Sequence, residues 1–187
     1  MSLVLMGMKH CGKSTVAAGV AERLGWRCID TDEVLADLHA RRSGEERTCR
    51  EIFREIGAQA WESLEADAVA ELAATLSNDT RQAAIALGGR TALNPACREH
   101  LRAMGTLVLL EVDADELYRR ILTGGLPPFL NADDPRGSFD AMLAERLPVY
   151  RSLADVRVNC TDRTPDQCIT AVLRTIDRDN PPRRESH

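Results

Sequence analysis

The strongest constraint on this chain is a glycine-rich segment close to its first residue. Residues 7–14 read Gly-Met-Lys-His-Cys-Gly-Lys-Ser and match the pattern G-x-x-x-x-G-K-[ST] at every fixed position. An apolar run at residues 3–6 predicts a buried strand before the segment, and residues 14–24 have the spacing of an amphipathic helix. Because a strand, a glycine loop and a helix are the context in which this pattern binds phosphate, the segment predicts a phosphate-binding loop rather than a chance match.

The residue types in this loop suit a nucleotide phosphate. Gly7 and Gly12 allow backbone angles that a side chain would block, so amide N–H groups can turn toward an anion. The helix that follows adds the positive end of its dipole. Lys13 is expected to approach the β- and γ-phosphates, and the Ser14 hydroxyl is a candidate Mg²⁺ ligand.

The overall composition limits the other partners of this chain. It has 187 residues, 44% of them hydrophobic and 28% charged, with a net charge of −5. No basic stripe indicates a nucleic-acid surface, and no apolar run reaches membrane-spanning length or resembles a signal peptide. We therefore expect a cytoplasmic protein without nucleic-acid or membrane partners. A monomer is expected, with a weak homodimer as the alternative.

Strand-like and helix-like segments alternate along most of the chain. Short apolar runs predict strands at residues 3–6, 27–29, 83–87, 107–112 and 156–159. Helical spacing extends over residues 58–76, and candidate capping boxes mark helix starts at Thr48/Glu51, Asp113/Glu116 and Thr164/Gln167. This βαβα order predicts one three-layer α/β domain with a parallel sheet, over residues 1–178, and a flexible tail at 179–187.

One segment interrupts this alternation. Residues 123–137 hold three glycines, three prolines and several acids, with little periodicity. Loops of this length in compact domains are often lids over a site, and an inert connector is the alternative. Beside a phosphate loop, we favour a lid.

Two acids follow the second predicted strand, in the sequence Asp30-Thr31-Asp32. Because the carboxyl ends of parallel strands line the ligand crevice, both carboxylates should face the phosphate loop. One of them could complete a Mg²⁺ shell and the other could accept a proton from an attacking hydroxyl. Helix capping is the alternative for these residues, and it is compatible with catalysis.

Together these features make the chain similar to the shikimate kinases, small P-loop kinases with a five-stranded parallel sheet of order 2-3-1-4-5. The similarity runs from Met1 to about Asp177. It implies Mg²⁺- and ATP-dependent phosphorylation of a hydroxyl on a small metabolite. The implied ATP contacts are Gly7, Lys9, His10, Cys11, Gly12, Lys13, Ser14 and Thr15, with Arg120 as a candidate adenine contact.

The resemblance also assigns roles to the residues that would face the acceptor. It implies metal binding by Ser14 and Asp30, and activation of the substrate hydroxyl by Asp32. It implies that Arg146, in the segment R-x-P-x-Y, holds a substrate carboxylate. The implied substrate contacts are Asp32, Glu62, Gly88, Gly89, Arg90 and Arg146, and the implied catalytic residues are Lys13, Asp32 and Arg146.

Four positions depart from the family pattern. His10 stands in the loop where glycine is usual, and Arg90 replaces the third glycine of the family's L-G-G-G. Glu62 occupies the place of a substrate-binding arginine. Pro127 occupies the place of the lid arginine, which Arg146 or Arg136 could replace.

These departures leave more than one interpretation. An acceptor other than shikimate is favoured, because Glu62 adds repulsion where a carboxylate would bind. A true shikimate kinase with a rearranged pocket, in which Arg146 and Arg90 hold the carboxylate, is the alternative. A non-catalytic nucleotide-binding relic is the third possibility, disfavoured because the phosphate loop and both aspartates are intact. A GTPase is not favoured, since no N-K-x-D motif is present.

Overall fold

A five-stranded parallel sheet organises the part of the chain that the structure describes, residues 2–179 of a computed structural model. The strands are β1 (Ser2–Met6), β2 (Arg27–Asp30), β3 (Ala83–Ala86), β4 (Gly105–Glu111) and β5 (Val156–Asn159). Their order across the sheet is β2-β3-β1-β4-β5, and all neighbours are parallel. The predicted order 2-3-1-4-5 is confirmed. The predicted tail lies outside the described residues, except for Asp179, which ends the last helix.

Helices connect the strands and cover the sheet. They are α1 (Lys13–Leu24), α2 (Thr31–Ser43), α3 (Cys49–Ser77), α4 (Arg98–Met104), α5 (Ala114–Leu122), α6 (Pro135–Leu153) and α7 (Pro165–Asp179). Two helices, α1 and α7, pack so closely that a Cβ added to Gly19 would come within 2.2 Å of Cδ1 of Ile169. Within residues 2–179, no helix is both long and apolar enough to cross a membrane.

The central strand explains why the sheet is covered on both faces. Every residue of β1 is buried, and Leu5 pairs with Ala86 on one side and with Val108 on the other. Such a continuous apolar run suits a strand with helices above and below it. Because all five strands run the same way, the loops that follow β1, β2 and β3 meet at one edge of the sheet.

The buried side chains form two separate clusters. The larger, main core surrounds the sheet and includes the helix faces of α1, α5, α6 and α7. The smaller cluster joins α2 to α3 and consists of Leu35, Leu38, Ile52, Leu64 and Ala68. We call this second group the acceptor-side core, since it supports the helices that carry Asp32 and Glu62.

Several predicted boundaries differ from the structure. The helix expected at 58–76 begins at Cys49 and is interrupted at Gly57, whose φ of 75° and ψ of 176° are not helical. Glycine tolerates this left-handed φ, so the chain can change direction there without ending the helix pair. The segment expected as a loop over 123–137 ends at Asp134, because Asp134 caps α6 and Pro135 occupies its first turn.

The three predicted capping boxes have different outcomes. The Thr48/Glu51 and Thr164/Gln167 pairs form both reciprocal hydrogen bonds. At the start of α5, the Asp113 carboxylate accepts from the backbone of Asp115 and Glu116, but the return bond is missing. The Glu116 carboxylate instead accepts from the backbone N–H of Asp162 at 2.8 Å.

Candidate active site

The glycine-rich loop joins β1 to α1 and wraps around the side chain of Lys13. Lys13 is buried, and its ammonium donates to the carbonyl oxygens of Gly7 at 3.1 Å and Met8 at 3.0 Å. Gly7 has a φ of 143°, and a Cβ at this position would lie 2.7 Å from the carbonyl oxygen of Leu110. The loop therefore needs glycine at its first position for both backbone angle and space.

His10 adopts the left-handed conformation that its place in the loop demands. Its φ is 66°, and it is one of two non-glycine residues with positive φ among residues 2–179. A non-glycine side chain is strained in this region of backbone angles. Desolvation lowers the pKa of the imidazole, and the charges of Lys9 and Lys13 lower it further, so His10 is neutral at pH 7.

Asp30 links the phosphate loop to the start of α2. One of its carboxylate oxygens accepts from the Ser14 hydroxyl at 2.8 Å, and the other accepts from the backbone N–H of Asp32 at 3.0 Å. Asp30 is therefore the N-cap of α2 and also a neighbour of the loop serine. The capping alternative is confirmed, and the metal-binding role of the same side chain stays a prediction.

Asp32 lies in the first turn of α2, at the edge of the cleft. A Cβ added to Gly88 would lie 2.4 Å from Oδ1 of Asp32, so only glycine at position 88 leaves room for this carboxyl group. Partial burial raises the pKa of Asp32 above its usual value, and the charge of Asp30 adds to that increase. Lys13 and Lys9 act in the opposite direction. A carboxylate with a raised pKa beside a phosphate loop is suited to accept a proton.

Two side chains hold the Gly88-Gly89 pair against this cleft. The Thr31 hydroxyl accepts from the backbone N–H of Gly88 at 2.7 Å. The Tyr150 hydroxyl donates to the carbonyl oxygen of Gly89 at 2.5 Å. The end of β3 is thus tied to α2 on one side and to α6 on the other.

Two arginines and a glutamate lie on the acceptor side of the cleft. Arg90 is 4.0 Å from Glu62, at the limit of an ion pair, and both side chains are more than half exposed. Burial raises the pKa of Tyr150 to about 12, while the charges of Arg146 and Arg90 act against that rise. Within residues 2–179, the buried Nε of Arg146 has no hydrogen-bond partner.

We call the side of the cleft that carries Glu62, Arg90 and Arg146 the acceptor wall. Glu65 supports it through hydrogen bonds to the loop that carries Arg90. Its two carboxylate oxygens accept from the Thr91 hydroxyl at 2.9 Å and from the side-chain amide of Asn94 at 3.2 Å. Burial raises the pKa of this glutamate, and the two hydrogen bonds and Arg90 partly offset the rise. The loop that carries Arg90 is therefore fixed to α3, three residues beyond Glu62.

Comparison with known proteins identifies the family of this chain. A family model for shikimate kinase matches residues 9–177 of the chain. This chain belongs to the shikimate kinase family. The shikimate kinase of Thermobifida fusca is 36% identical over 173 residues, which cover 92% of this chain and 93% of the relative. That of Symbiobacterium thermophilum is 36% identical and covers 92% of this chain and 94% of the relative.

The solved structures agree with this assignment of the fold. The shikimate kinase of Acinetobacter baumannii, solved in complex with shikimate, has a TM-score of 0.78 to this chain at 24% identity. The alignment covers 96% of this chain and 94% of that one. The chain is therefore a small-molecule kinase, an ATP-dependent phosphotransferase of the shikimate kinase type.

The segment predicted to be a lid carries no cation of its own before α6 begins. Residues 123–134 contain no lysine or arginine. Arg136, one of the two candidates for this role from the sequence, is engaged elsewhere in the structure. Its guanidinium pairs with Asp115 at 2.6 Å and with Asp140 at 2.9 Å, and it lies 5.3 Å from the ring centre of Tyr118.

Arg120 lies on α5, the helix that follows β4. It pairs with Glu116 one turn earlier on α5, and its charge is felt by the thiol of Cys11 inside the loop. The Glu116 carboxylate also accepts from the backbone N–H of Asp162, in the turn after β5. Arg120 therefore lies near both this turn and the phosphate loop. This position is compatible with the implied adenine contact.

Sequence reasoning missed several supporting residues of the site. Thr31 and Tyr150 were quoted only as parts of D-T-D and R-x-P-x-Y, although both clamp the glycine pair. Lys9 is predicted to contact ATP with the rest of the loop, and the structure also places it beside Gly89. A Cβ on Gly89 would be 3.9 Å from the Cβ of Lys9. No local pattern reports these contacts, because they join residues that are far apart in the chain.

Proposed function

We propose that this chain transfers the γ-phosphoryl group of ATP to a hydroxyl of shikimate. The observation that carries the proposal is the buried Nε of Arg146, which has no hydrogen-bond partner within residues 2–179 and belongs to the helix whose Tyr150 contacts Gly89, the neighbour of Arg90. Paired guanidinium groups suit a planar carboxylate, and a nearby carboxylate suits a reacting hydroxyl. The names of the curated relatives also support shikimate as the acceptor.

On the nucleotide side, the residues present fit a Mg²⁺ ion as well as phosphate. The Ser14 hydroxyl and the Asp30 carboxylate are hard oxygen donors, 2.8 Å apart at the mouth of the phosphate loop. We assign the metal to these two residues and the phosphates to the loop from Gly7 to Thr15, with Lys13 at its centre. When bound, the metal neutralises charge on the phosphate oxygens.

On the acceptor side, we assign Asp32 to the hydroxyl and Arg146 to the carboxylate. Since burial and the charge of Asp30 raise the Asp32 pKa, this carboxylate is a better proton acceptor than an exposed one, and it can hold the hydroxyl and take its proton. The unpartnered Nε of Arg146 offers one donor, and the guanidinium of Arg90 offers a second cation. In this assignment, Glu62 does not face the ligand carboxylate but orients Arg90 toward it.

A second acceptor class is favoured by one feature, the exposed carboxylate of Glu62. If Arg90 turns away from it, Glu62 would accept hydrogen bonds from hydroxyls or from an amine, and the ligand would be an amino alcohol or a neutral polyol. The distance of 4.0 Å between the two side chains is long enough for either arrangement.

The test is ADP release from MgATP in the presence of a panel of acceptors. The panel contains shikimate, its methyl ester, quinate, sugars, polyols and amino alcohols. We expect shikimate to be phosphorylated and the ester to lose about 100-fold in kcat/KM, because the charged hydrogen bonds to Arg90 and Arg146 are lost.

Glu62→Gln is the matched control in this assay. If Glu62 only orients Arg90, this variant should change kcat/KM for shikimate by less than about fivefold. Turnover of an amino alcohol that Glu62→Gln abolishes would identify the second acceptor class instead. Intact ATP binding with no stimulation by any acceptor would overturn both and support a nucleotide-binding relic.

A further inference from the structure

Lys9 lies in the phosphate loop but reaches across the cleft to the lid. Its backbone N would be 4.0 Å from a Cβ on Gly89, and its ammonium lies 5.4 Å from the ring centre of Phe129. The residue is exposed, and its charge lowers the pKa of Asp32. Lys9 is therefore a cation between the acceptor base, the acceptor wall and the lid.

Three other cations are already engaged, and Arg90 and Arg146 are assigned above to the acceptor carboxylate. Lys13 is held by the carbonyl oxygens of Gly7 and Met8. Arg120 is paired with Glu116, and Arg136 with Asp115 and Asp140. Among the described residues, no carboxylate lies within ion-pair distance of the Lys9 ammonium.

The composition of the chain sets this lysine apart. Of its 24 lysines and arginines, only Lys9 and Lys13 are lysines, and both lie in the phosphate loop. Everywhere else the chain uses arginine. An ammonium is a compact point charge, whereas a guanidinium is a wide planar fork, so the two are not interchangeable at a crowded phosphate.

The composition of the predicted lid explains why a cation is needed at the position of Lys9. Pro127 occupies the place of the family's lid arginine, and residues 123–134 have no cation. Phe129, two residues further on, is 41% exposed and presents its ring to Lys9. A cation–π contact of this kind would allow lid closure to set the position of the ammonium.

We propose that Lys9 is a catalytic residue that supplies to the transferred phosphoryl group the charge that a lid arginine would otherwise supply, and that Phe129 positions it. The inference rests on the proposed phosphoryl transfer. In that transfer the bond from the γ-phosphorus to the ADP oxygen breaks, and a bond to the acceptor oxygen forms. The hydroxyl proton passes to Asp32, while Lys9 stabilises charge on the non-bridging oxygens and is not consumed.

The first experiment compares binding of ATP with binding of ADP and aluminium fluoride, which imitates the transferred phosphoryl group. Lys9→Met should weaken the ADP–aluminium fluoride complex by about 100-fold and ATP by less than about threefold, because the charge acts on the transition state. Lys9→Arg should stay within about tenfold of the wild type. The matched control is Arg102→Met, which also removes one exposed positive charge but lies with Ser2 and Gly105 at the opposite end of the sheet.

These binding measurements need no acceptor, so they stand even if shikimate is not the substrate. Equal weakening of both complexes would show that Lys9 is a ground-state phosphate ligand and would overturn the inference. An unchanged ADP–aluminium fluoride complex with a raised acceptor KM would overturn it as well, because Lys9 would then bind the acceptor.

The second experiment restores an arginine to the lid. Pro127→Arg in the Lys9→Met background should recover at least about tenfold in kcat, and in the wild-type background it should change kcat by less than about threefold. Phe129→Leu should lower kcat by about two- to fivefold and leave ATP binding unchanged. Equal effects of Pro127→Arg in the two backgrounds would show that the two cations do not share a role.

Discussion

The nucleotide half and the acceptor half of the cleft are built in different ways. The phosphate loop lies between the fully buried β1 and α1, on the main core, and its shape depends on backbone geometry at Gly7 and on the carbonyl groups around Lys13. The acceptor half stands on α2 and α3, which share a separate core of five residues and a break at Gly57.

This difference explains where the chain departs from its family. Backbone cradles tolerate few residue types, so the loop keeps Gly7, Gly12, Lys13 and Ser14 and departs from the family pattern only at His10. On the acceptor side, exposed side chains such as Glu62 and Arg90 can change without loss of the fold. The five predictions below test the comparison, beginning with the largest expected effect.

The largest effect should come from Asp32, where the two halves meet. Asp32→Asn should lower kcat by about 1000-fold, because the hydroxyl loses its proton acceptor, and should leave the ATP dissociation constant within about twofold. Steady-state kinetics and calorimetric ATP titration measure the two quantities. Retention of more than a tenth of wild-type turnover would show that Asp32 is not the base.

The same variant has a pH signature. The pKa of Asp32 is higher in the folded chain than in the unfolded chain. As the pH rises, the unfolded chain therefore loses this proton first, and the ionised carboxylate lowers the stability of the fold, fully so above the folded-state pKa. Asp32→Asn should therefore be more stable than the wild type at pH 7, and its advantage should shrink as the pH falls toward 3.8. Urea unfolding of both proteins across this range measures the difference.

A smaller effect should separate the two halves kinetically. Arg146→Ala and Arg90→Ala should each raise the acceptor KM by about 10- to 100-fold, since a hydrogen bond to a charged group is lost, and should leave the KM for ATP unchanged. Arg119→Ala, an exposed arginine on α5, is the control. A raised KM for ATP in the Arg90 variant would show that the two halves are not separable at this wall.

A matched pair of core substitutions should distinguish the two cores. Ile52 and Ile85 are both fully buried, the first in the acceptor-side core and the second in the main core. Ile52→Val and Ile85→Val should each lower the free energy of unfolding by about 1 kcal/mol, because the same methyl group is removed. Only Ile52→Val should also raise the acceptor KM. An equal change in acceptor KM for both variants would contradict the independence of the acceptor-side core.

The smallest effect is expected at His10. His10→Gly should raise the free energy of unfolding by about 0.5 kcal/mol, since relief of left-handed strain slightly exceeds the added freedom of the unfolded chain. Because the folded-state pKa of His10 is lowered, its protonation costs stability as the pH falls below 6.5. The advantage of the glycine variant should therefore grow on acidification through that value. Thermal unfolding at several pH values measures it.

Much of the nucleotide half could be predicted from local sequence. Gly7, Lys13 and Ser14 belong to one short motif with few steric solutions, and the acids Asp30 and Asp32 follow a strand whose end had to lie beside it. The strands were placed within two residues, because buried parallel strands are nearly continuous apolar runs. The strand order itself came from the family resemblance and was confirmed.

The acceptor half was much less predictable. The sequence showed that Glu62, Arg90 and Pro127 are unusual, but it did not show that Arg136 is bound to Asp115 and Asp140. The break at Gly57 was also missed, since a glycine within helical spacing is commonly tolerated.

By itself, the sequence determined the chemistry available to this protein: a phosphate cradle, two acids beside it and an altered set of cations. Only the tertiary structure decided which cation faces which partner. It placed the Lys9 ammonium 5.4 Å from the ring centre of Phe129 and, within residues 2–179, left the buried Nε of Arg146 without a hydrogen-bond partner. The physical reason is the distance along the chain over which each feature is specified. A loop motif is specified by backbone angles within a few residues, whereas the partner of a long charged side chain depends on how distant helices pack.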